Sequence, residues 1–525
     1  MRRIYLDYAA STPVRSEARK IMLPYFSDNF GNPGSLHSFG QKAMSAVDKA
    51  RETIAKAING RFREVIFTSG ATEANNLALR GVARSALFAS RGTGRSSAPA
   101  AEDVMRSRSH GSFGDQARES SEIFLEKHAR RRISGIKNKI SGHQLAISVN
   151  QRPKIIVSAI EHESVLDTAY SLEREGVEIA VLPVDKKGIV DMKKLESSLD
   201  ERTVLVSVMY VNNEIGSIQP IAQIADIIRN YQNTKFEARN SKQIRSTKLK
   251  ARNGISDFGF RNSDFGTTYP LFHVDAAQAF EYFNCDTAKL GVDLMTLSSQ
   301  KIYGPKGTGA LYVRNSRVVR HPEWSEGSLR GDSSFAGRRT QNNGKSVVSD
   351  FGFRNSDLRA VQPLVTGGGQ EFGLRSGTEN VPAIAGFGEA ARLAEKERAR
   401  NVKRVTEIRD YFWRALKKVY PPASINGNQE SGRRNKGRSD TAPHILNVYF
   451  PTEFAGDLLT KMDMAGIAAS SGSACSARSY APSHVLEALH LPSERVRGSV
   501  RFSFGIYTTK AEIREAVKRM KKILE

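Results

Sequence analysis

Cysteine is almost missing from this 525-residue chain: only Cys285 and Cys475 occur. Two cysteines cannot build a disulfide framework or an all-cysteine metal site, and they leave room for one nucleophile. No apolar run is long enough to span a bilayer, and Met1-Arg2-Arg3-Ile4-Tyr5 lacks the apolar core of a signal peptide. A cytoplasmic protein with no membrane partner is therefore expected. Acidic residues are scarce beside basic ones, 55 against 79, which leaves a net charge of +24. An excess of that size raises nucleic acid as a partner, unless the charge is confined to segments outside the fold. The hydrophobic share of 39% and charged share of 26% suit a globular protein, long enough for two or more domains.

The charge is confined. Four stretches, about 84–152, 232–268, 315–360 and 428–440, are rich in Ser, Gly, Asn and Arg and have weak apolar periodicity. Counting Lys and Arg less Asp and Glu, they carry +7, +5, +3 and +2, which is +17 of the +24. Two of them share a nine-residue segment, Ser256–Asp264 and Ser349–Asp357. The copies are too few and too far apart to stack as a solenoid. Inserted low-complexity sequence in surface loops accounts for them, since long loops cost little closure entropy. Arg and Lys interleaved with Phe also resembles a single-strand-binding composition, so a nucleic-acid role stays open as the sharper alternative.

The remaining 360 or so residues (about two thirds of the chain) alternate strand and helix. Short β-branched runs stand at Val65–Thr68, Lys154–Ser158, Ile179–Leu182, Val204–Met209, Leu271–Asp275, Leu294–Leu297 and Gly309–Val313. Apolar strands separated by helices predict a mostly parallel sheet covered on both faces, with ligands at the carboxyl ends of its strands. Thr72, His162, Asn213, Asp275 and Lys301 all fall at such ends. Lys301 lies in Ser298-Ser299-Gln300-Lys301-Ile302-Tyr303-Gly304-Pro305, 26 residues after Asp275. A lysine beside Gly-Pro also suits a plain solvated turn. Paired with a strand-end aspartate, it suits an aldehyde cofactor: the amine forms a Schiff base and the carboxylate keeps the ring nitrogen protonated. That makes pyridoxal phosphate the first cofactor hypothesis. The turn Ser69-Gly70-Ala71-Thr72, between a strand and a helix, offers free backbone N–H groups as a phosphate seat.

These phrases resemble a known family. Tyr5-Leu6-Asp7-Tyr8, Gly31-Asn32-Pro33, Thr68–Asn76, Glu161-His162, Val211–Gly216, His273–Gln278, the Lys301 turn, Arg375–Thr378, Ser471–Cys475 and Val500–Ser503 run in the order of the NifS/IscS cysteine desulfurases. The resemblance implies a PLP-dependent transferase of fold type I, in the class V aminotransferase group. It expects a mostly parallel seven-stranded sheet in a large domain (15–395) plus a smaller α/β C-terminal domain (1–14 with 396–525). It also implies roles. Lys301 would bind the cofactor, Asp275 its ring nitrogen, and His162 the ring face with proton transfer. Asn213 and Gln278 would bind the ring oxygen. Ala71, Thr72, Ser298, Ser299 and Gln300 would hold the phosphate, with Thr378 supplied by a second subunit. Arg501, Asn32 and Asn213 would take the substrate carboxylate.

Cys475, among small residues in Ser471-Gly472-Ser473-Ala474-Cys475, decides the reaction the resemblance implies. Its thiolate would attack the sulfur of L-cysteine, giving L-alanine and a persulfide. Cys285 is expected to be structural. A homodimer that passes sulfur to an iron–sulfur scaffold or to tRNA thiolation follows, with Cys475 a transient iron–sulfur ligand and no resident metal. Two features depart from the pattern. Gln300 stands where these enzymes usually carry His, so cofactor affinity is expected to change. The chain ends at Lys521–Glu525 without the tail that IscS-type members use for scaffold docking. The competing readings are another class V enzyme, such as a selenocysteine lyase or aminotransferase, and a nucleic-acid-binding protein on an idle scaffold.

Overall fold

The computed structural model describes residues 2–91, 152–235, 269–314, 360–427, 441–451, 453–472 and 482–525. Most of the four Arg- and Ser-rich stretches, both copies of the repeated segment, and Cys475 lie outside the described residues. Residues Leu87–Arg152 separate as a unit of their own, and the body formed by Met1–Ala86 with Pro153–Glu525 carries everything below.

Among the described residues of that body twelve strands form the sheets: β1 (Ile4–Tyr5), β2 (Val65–Thr68), β3 (Lys154–Ser158), β4 (Glu178–Leu182), β5 (Thr203–Ser207), β6 (Leu271–Asp275), β7 (Leu294–Ser298), β8 (Gly309–Val313), β9 (Ser424–Ile425), β10 (Ile445–Tyr449), β11 (Ile467–Ala468) and β12 (Ser499–Ser503). The main sheet has seven strands in the order β2-β8-β7-β6-β5-β3-β4. Strands β7, β6, β5, β3 and β4 are mutually parallel, while β8 runs antiparallel to both its neighbours. Strands β2, β3 and β5 to β8 are buried at every residue. Helices cover both faces of such a sheet, which is why these segments read as continuous apolar runs rather than alternating ones. The expected architecture is therefore present.

A second core gathers around the antiparallel sheet β12-β10-β9. Ile4 and Leu6 join it, because β1 pairs in parallel with β11. The helix Val381–Val419 serves both cores. Its first half buries Val381, Ile384, Phe387, Ala391 and Ala394 against the main sheet's core, and its second half buries Val405, Ile408, Phe412 and Leu416 in the other. Both sets follow the three-and-four spacing of one helix face. Asn380 starts this helix by accepting from Ala383 N at 3.2 Å. Where it crosses the helix Ser38–Ala57, a Cβ on Gly388 would stand 2.7 Å from Ala50 Cα, so the close approach requires glycine. The helix Ala71–Arg91 extends past residue 84, the expected start of the first Arg- and Ser-rich stretch. No helix among the described residues is long and apolar enough to cross a membrane.

Candidate active site

A cavity of about 300 Å³ opens at the carboxyl ends of the central strands. Ser69 to Thr72 reach it after β2, His162 after β3, Asn213 after β5, Asp275 and Gln278 from β6, and Ser298, Gln300 and Lys301 after β7. Ala9 and Ala10 close one side, and Arg501 enters from the middle of β12.

The anion end is the start of the helix Ala71–Arg91, whose first-turn N–H groups have no acceptor within the helix. Glu73 also lines the cavity, and both its carboxylate oxygens are engaged. Oε2 accepts from Ser69 N at 2.6 Å and Oε1 from Arg375 Nε at 3.0 Å. Strand β8 begins against this turn, and a Cβ on Gly309 would lie 2.8 Å from Gly70 C and from Leu297 O. Only glycine lets the two backbones meet.

Lys301 sits on a turn clasped by the N-terminal segment. Thr12 Oγ1 donates to Gln300 O at 2.8 Å and accepts from Tyr303 N at 2.9 Å, and Arg15 N donates to Tyr303 O at 2.9 Å. The lysine Nζ donates to Ala9 O at 2.7 Å and Ala10 O at 2.6 Å. Gln278 Nε2 also donates to Ala9 O, at 2.9 Å, and its Oε1 pairs with His444 Nε2 at 3.1 Å. Burial holds His444 low, at about 3, so it stays neutral.

Asp275 ends β6 with both oxygens engaged: Oδ1 accepts from Ala277 N at 2.9 Å and Oδ2 from Asn75 Nδ2 at 2.8 Å. Asn75 also donates to Ser164 Oγ at 2.8 Å. Ser164 in turn fixes His162, since its backbone N–H donates to His162 Nδ1 at 3.0 Å. A nitrogen that accepts from a backbone N–H carries no proton, so the proton belongs on Nε2. Burial lowers this imidazole's pKa, which favours the neutral form.

The neighbouring Glu161 is fully buried and its pKa is pushed up to about 8, chiefly by that burial. Its Oε1 accepts from Ser158 Oγ and from Met209 N, both at 2.6 Å, while Oε2 has no hydrogen-bond partner. A carboxyl raised from 4.5 to about 8 contributes fully below pH 4.5, and that contribution is lost as pH rises toward 8. Glu161→Gln is therefore expected to gain stability relative to the parent between pH 5 and pH 8.5, by a few kcal/mol (about 1.4 per pKa unit). Urea midpoints at the two pH values check this; an unchanged difference would contradict it.

Arg501 is 1% exposed. Its Nη1 donates to Asn213 O at 3.0 Å and its Nη2 to Asp7 Oδ1 at 2.8 Å, while Nε has no protein partner. A buried guanidinium among the residues that line a cavity is suited to a carboxylate.

Of the residues expected at the site, Ala71, Thr72, His162, Asn213, Asp275, Gln278, Ser298, Gln300, Lys301 and Arg501 line this one cavity. Three others are placed elsewhere in this chain. Ser299 lies behind the lysine turn, where a Cβ on Gly304 would be 2.2 Å from its Oγ. Asn32 is exposed and caps its own turn, accepting from Gly34 N at 2.8 Å. Thr378 is exposed. Cys475 lies outside the described residues, and Cys285 is a buried thiol pushed up to about 12 by its burial. Asn75, Asp7 and His444 had not been expected as site residues. The first two stand inside motif phrases, and Asn75 follows Ala71 by one helical turn, which was the available signal.

The sequence profile described as "Aminotransferase class-V" matches residues 4–93, 134–258, 268–346 and 353–515. The chain is 32% identical over 524 residues to "Cysteine desulfurase IscS" of Dictyoglomus turgidum, covering 100% of this chain and 95% of the relative. It is 32% identical over 521 residues to "Cysteine desulfurase IscS 1" of Archaeoglobus fulgidus, covering 99% and 97%. Among solved structures it is similar to a "NIFS-like protein", with a TM-score of 0.65, 25% identity and 99% of each chain covered. It is also similar to "SspA in complex with cysteine", with a TM-score of 0.58, 26% identity, and 96% and 100% covered.

Proposed function

The chain belongs to the class-V aminotransferase family and is a pyridoxal-phosphate-dependent cysteine desulfurase, and from the cavity's geometry we propose how its residues divide the work. What carries the assignment of roles is that Lys301, Asp275, His162 and Arg501, from four separate elements, line one cavity. The cofactor suits these residues: an aldehyde meets Lys301 Nζ, a phosphate meets the N-terminus of the helix Ala71–Arg91 with Thr72, Ser298 and Gln300, and a ring nitrogen meets Asp275. When bound, pyridoxal phosphate draws electrons from the substrate into its protonated ring and so loosens the bond to sulfur.

The chain's own groups do the rest. Asn75 holds Asp275 in place by the 2.8 Å bond to Oδ2. His162 keeps its proton on Nε2, available to exchange with substrate atoms in the cavity. Arg501 and Asn213 seat the cysteine carboxylate. We assign Cys475 as the sulfur acceptor. A bond forms between its sulfur and the substrate sulfur, the substrate carbon–sulfur bond breaks, and a proton replaces sulfur on carbon. L-Cysteine and a thiol thereby become L-alanine and a persulfide, with no external oxidant or reductant.

The second copy in a homodimer would bring Thr378 to the phosphate. Phe26, Phe30, Leu36 and Phe39, exposed by 65%, 70%, 92% and 47%, leave apolar surface that supports a protein partner. The persulfide then passes to an iron–sulfur scaffold or a tRNA-thiolating acceptor, with Cys475 the transient ligand of any cluster formed there. The buried free thiol of Cys285 suits a reducing cytoplasm. Cys475→Ser is expected to keep the yellow colour of the lysine-bound cofactor and its change on adding cysteine, while alanine release falls about a hundredfold or more. A variant that still released alanine at the parental rate would assign the sulfur to another acceptor.

A further inference from the structure

We propose that Arg375 is a positioning residue for the cofactor phosphate, raising cofactor affinity by holding and neutralising the Glu73 carboxylate. The start of the helix Ala71–Arg91 as phosphate seat is the reading on which this rests. None of the residues assigned to that seat, Ala71, Thr72, Ser298 and Gln300, carries a positive charge. Glu73 lines the same cavity. Burial acts to raise its pKa, but the bonds from Ser69 and Arg375 outweigh burial and hold the carboxyl below its ordinary value. It is therefore ionised at neutral pH.

A carboxylate in the first turn favours the helix, yet it repels a second anion entering the same cavity. Arg375 meets that charge directly. Its Nε donates to Oε1 at 3.0 Å, with the two side chains 26% and 18% exposed. The other oxygen, Oε2, accepts from Ser69 N at 2.6 Å. The residue roles assigned above leave Arg375 unused, although it opens one of the motif phrases.

Arg375 is presented from a turn anchored to the strand that leads into the phosphate seat. Glu371 is 5% exposed, and its Oε2 accepts from Phe67 N in β2 at 2.8 Å. Arg51 grips both oxygens of Glu371, Nη1 to Oε2 at 2.7 Å and Nη2 to Oε1 at 2.8 Å. The same guanidinium lies over the rings of Phe67 and Phe372, 4.7 and 5.0 Å from their centres. These contacts hold Glu371 and Phe372 at φ of 49° and 58°, a left-handed backbone that side chains disfavour. Beyond Arg375, Ser376 N donates to Val365 O at 3.2 Å and Gly377 N to Gln370 Oε1 at 2.9 Å. With both sides of Arg375 pinned, its guanidinium reaches Glu73 from a rigid base and little chain entropy remains to be lost.

The test compares full-length holoenzyme with Arg375→Gln, Glu73→Gln, the double variant and Arg375→Lys. Each is dialysed free of cofactor and retitrated with pyridoxal phosphate, followed by the yellow absorbance. Arg375→Gln is expected to raise the Kd by about ten- to a hundredfold, and Glu73→Gln to lower it about threefold or more. The double variant should return to within about threefold of the parent, and added salt should narrow all the differences. Arg375→Lys keeps the charge and should recover most of the affinity. Titration with pyridoxal, which lacks the phosphate, should give the same Kd in all five proteins. A parental Kd in Arg375→Gln would overturn the proposal. So would a loss that Glu73→Gln does not repair, or an equal loss for pyridoxal, since either would mean that the loop's structure and not its charge is at work. Thr72→Ala tests the seat without touching either charge: an unchanged Kd there would place the phosphate elsewhere and overturn the proposal through that reading.

Discussion

Lys301→Ala is expected to lose the cofactor colour and to lower alanine production by about four orders of magnitude or more, with little effect on folding. The chemistry needs a primary amine at this one point. The turn that presents it is held by backbone and Thr12 contacts that survive the truncation, namely Thr12 Oγ1 to Gln300 O and Arg15 N to Tyr303 O. What disappears is a cation resting on Ala9 O and Ala10 O, two carbonyls on a cavity wall that water can then satisfy. Stability should move by no more than about 1 kcal/mol. Lys301→Arg retains the charge but has no amine able to form a Schiff base, and should be as inactive as the alanine variant. Absorbance of the purified variants after reconstitution, with alanine assays and thermal melts, checks all three statements. Substantial turnover in either variant would remove Lys301 from the centre of the account.

Arg501→Gln should reduce kcat/KM by about a thousandfold, most of it in KM, and should also destabilise the fold. The two effects have different origins. The seat proposed for the substrate carboxylate is the planar guanidinium of Arg501, which lines the cavity. Stability is lost because Asp7, 17% exposed, is left without its ion-pair partner. Removing one member of a buried pair costs about 3–5 kcal/mol, and Asp7's partial exposure lowers this to about 2. Arg501→Lys separates the two. An ammonium can still pair with Asp7 but lacks the planar fork that grips a carboxylate through two bonds, so most of the stability should return while KM stays raised by about a hundredfold. A KM unchanged in either variant would show that another group binds the carboxylate. Urea denaturation and steady-state kinetics on the same preparations give the comparison.

The strands of the main sheet were legible in the sequence to within a residue or two. Lys154–Ser158, Leu271–Asp275 and Gly309–Val313 appear with the expected limits. They were legible because a strand covered on both faces must be apolar throughout. The reversed direction of β8 left no such trace, since burial does not depend on strand polarity. At the site, Lys301 and Asp275 declared themselves by spacing and chemistry. The residues that hold them did not. Asn75 reaches Asp275 across 200 positions, Asp7 reaches Arg501 across 494, and Arg375 reaches Glu73 across 302. Only the folded chain brings such pairs together. Ser299 shows the opposite failure. It adjoins Ser298 and Gln300 in sequence, yet the tight helical turn Ser299–Lys301 sends its hydroxyl behind the lysine rather than into the cavity.

In the reaction proposed here sulfur leaves L-cysteine in this cavity and arrives on Cys475. The most direct test mixes the reconstituted enzyme with one equivalent of L-cysteine and no reductant, then measures free alanine and the mass of the peptide containing Cys475. One alanine per active site is expected, and that peptide heavier by one sulfur atom, with the Cys285 peptide unchanged. Alanine without added sulfur on Cys475, or pyruvate in place of alanine, would contradict it.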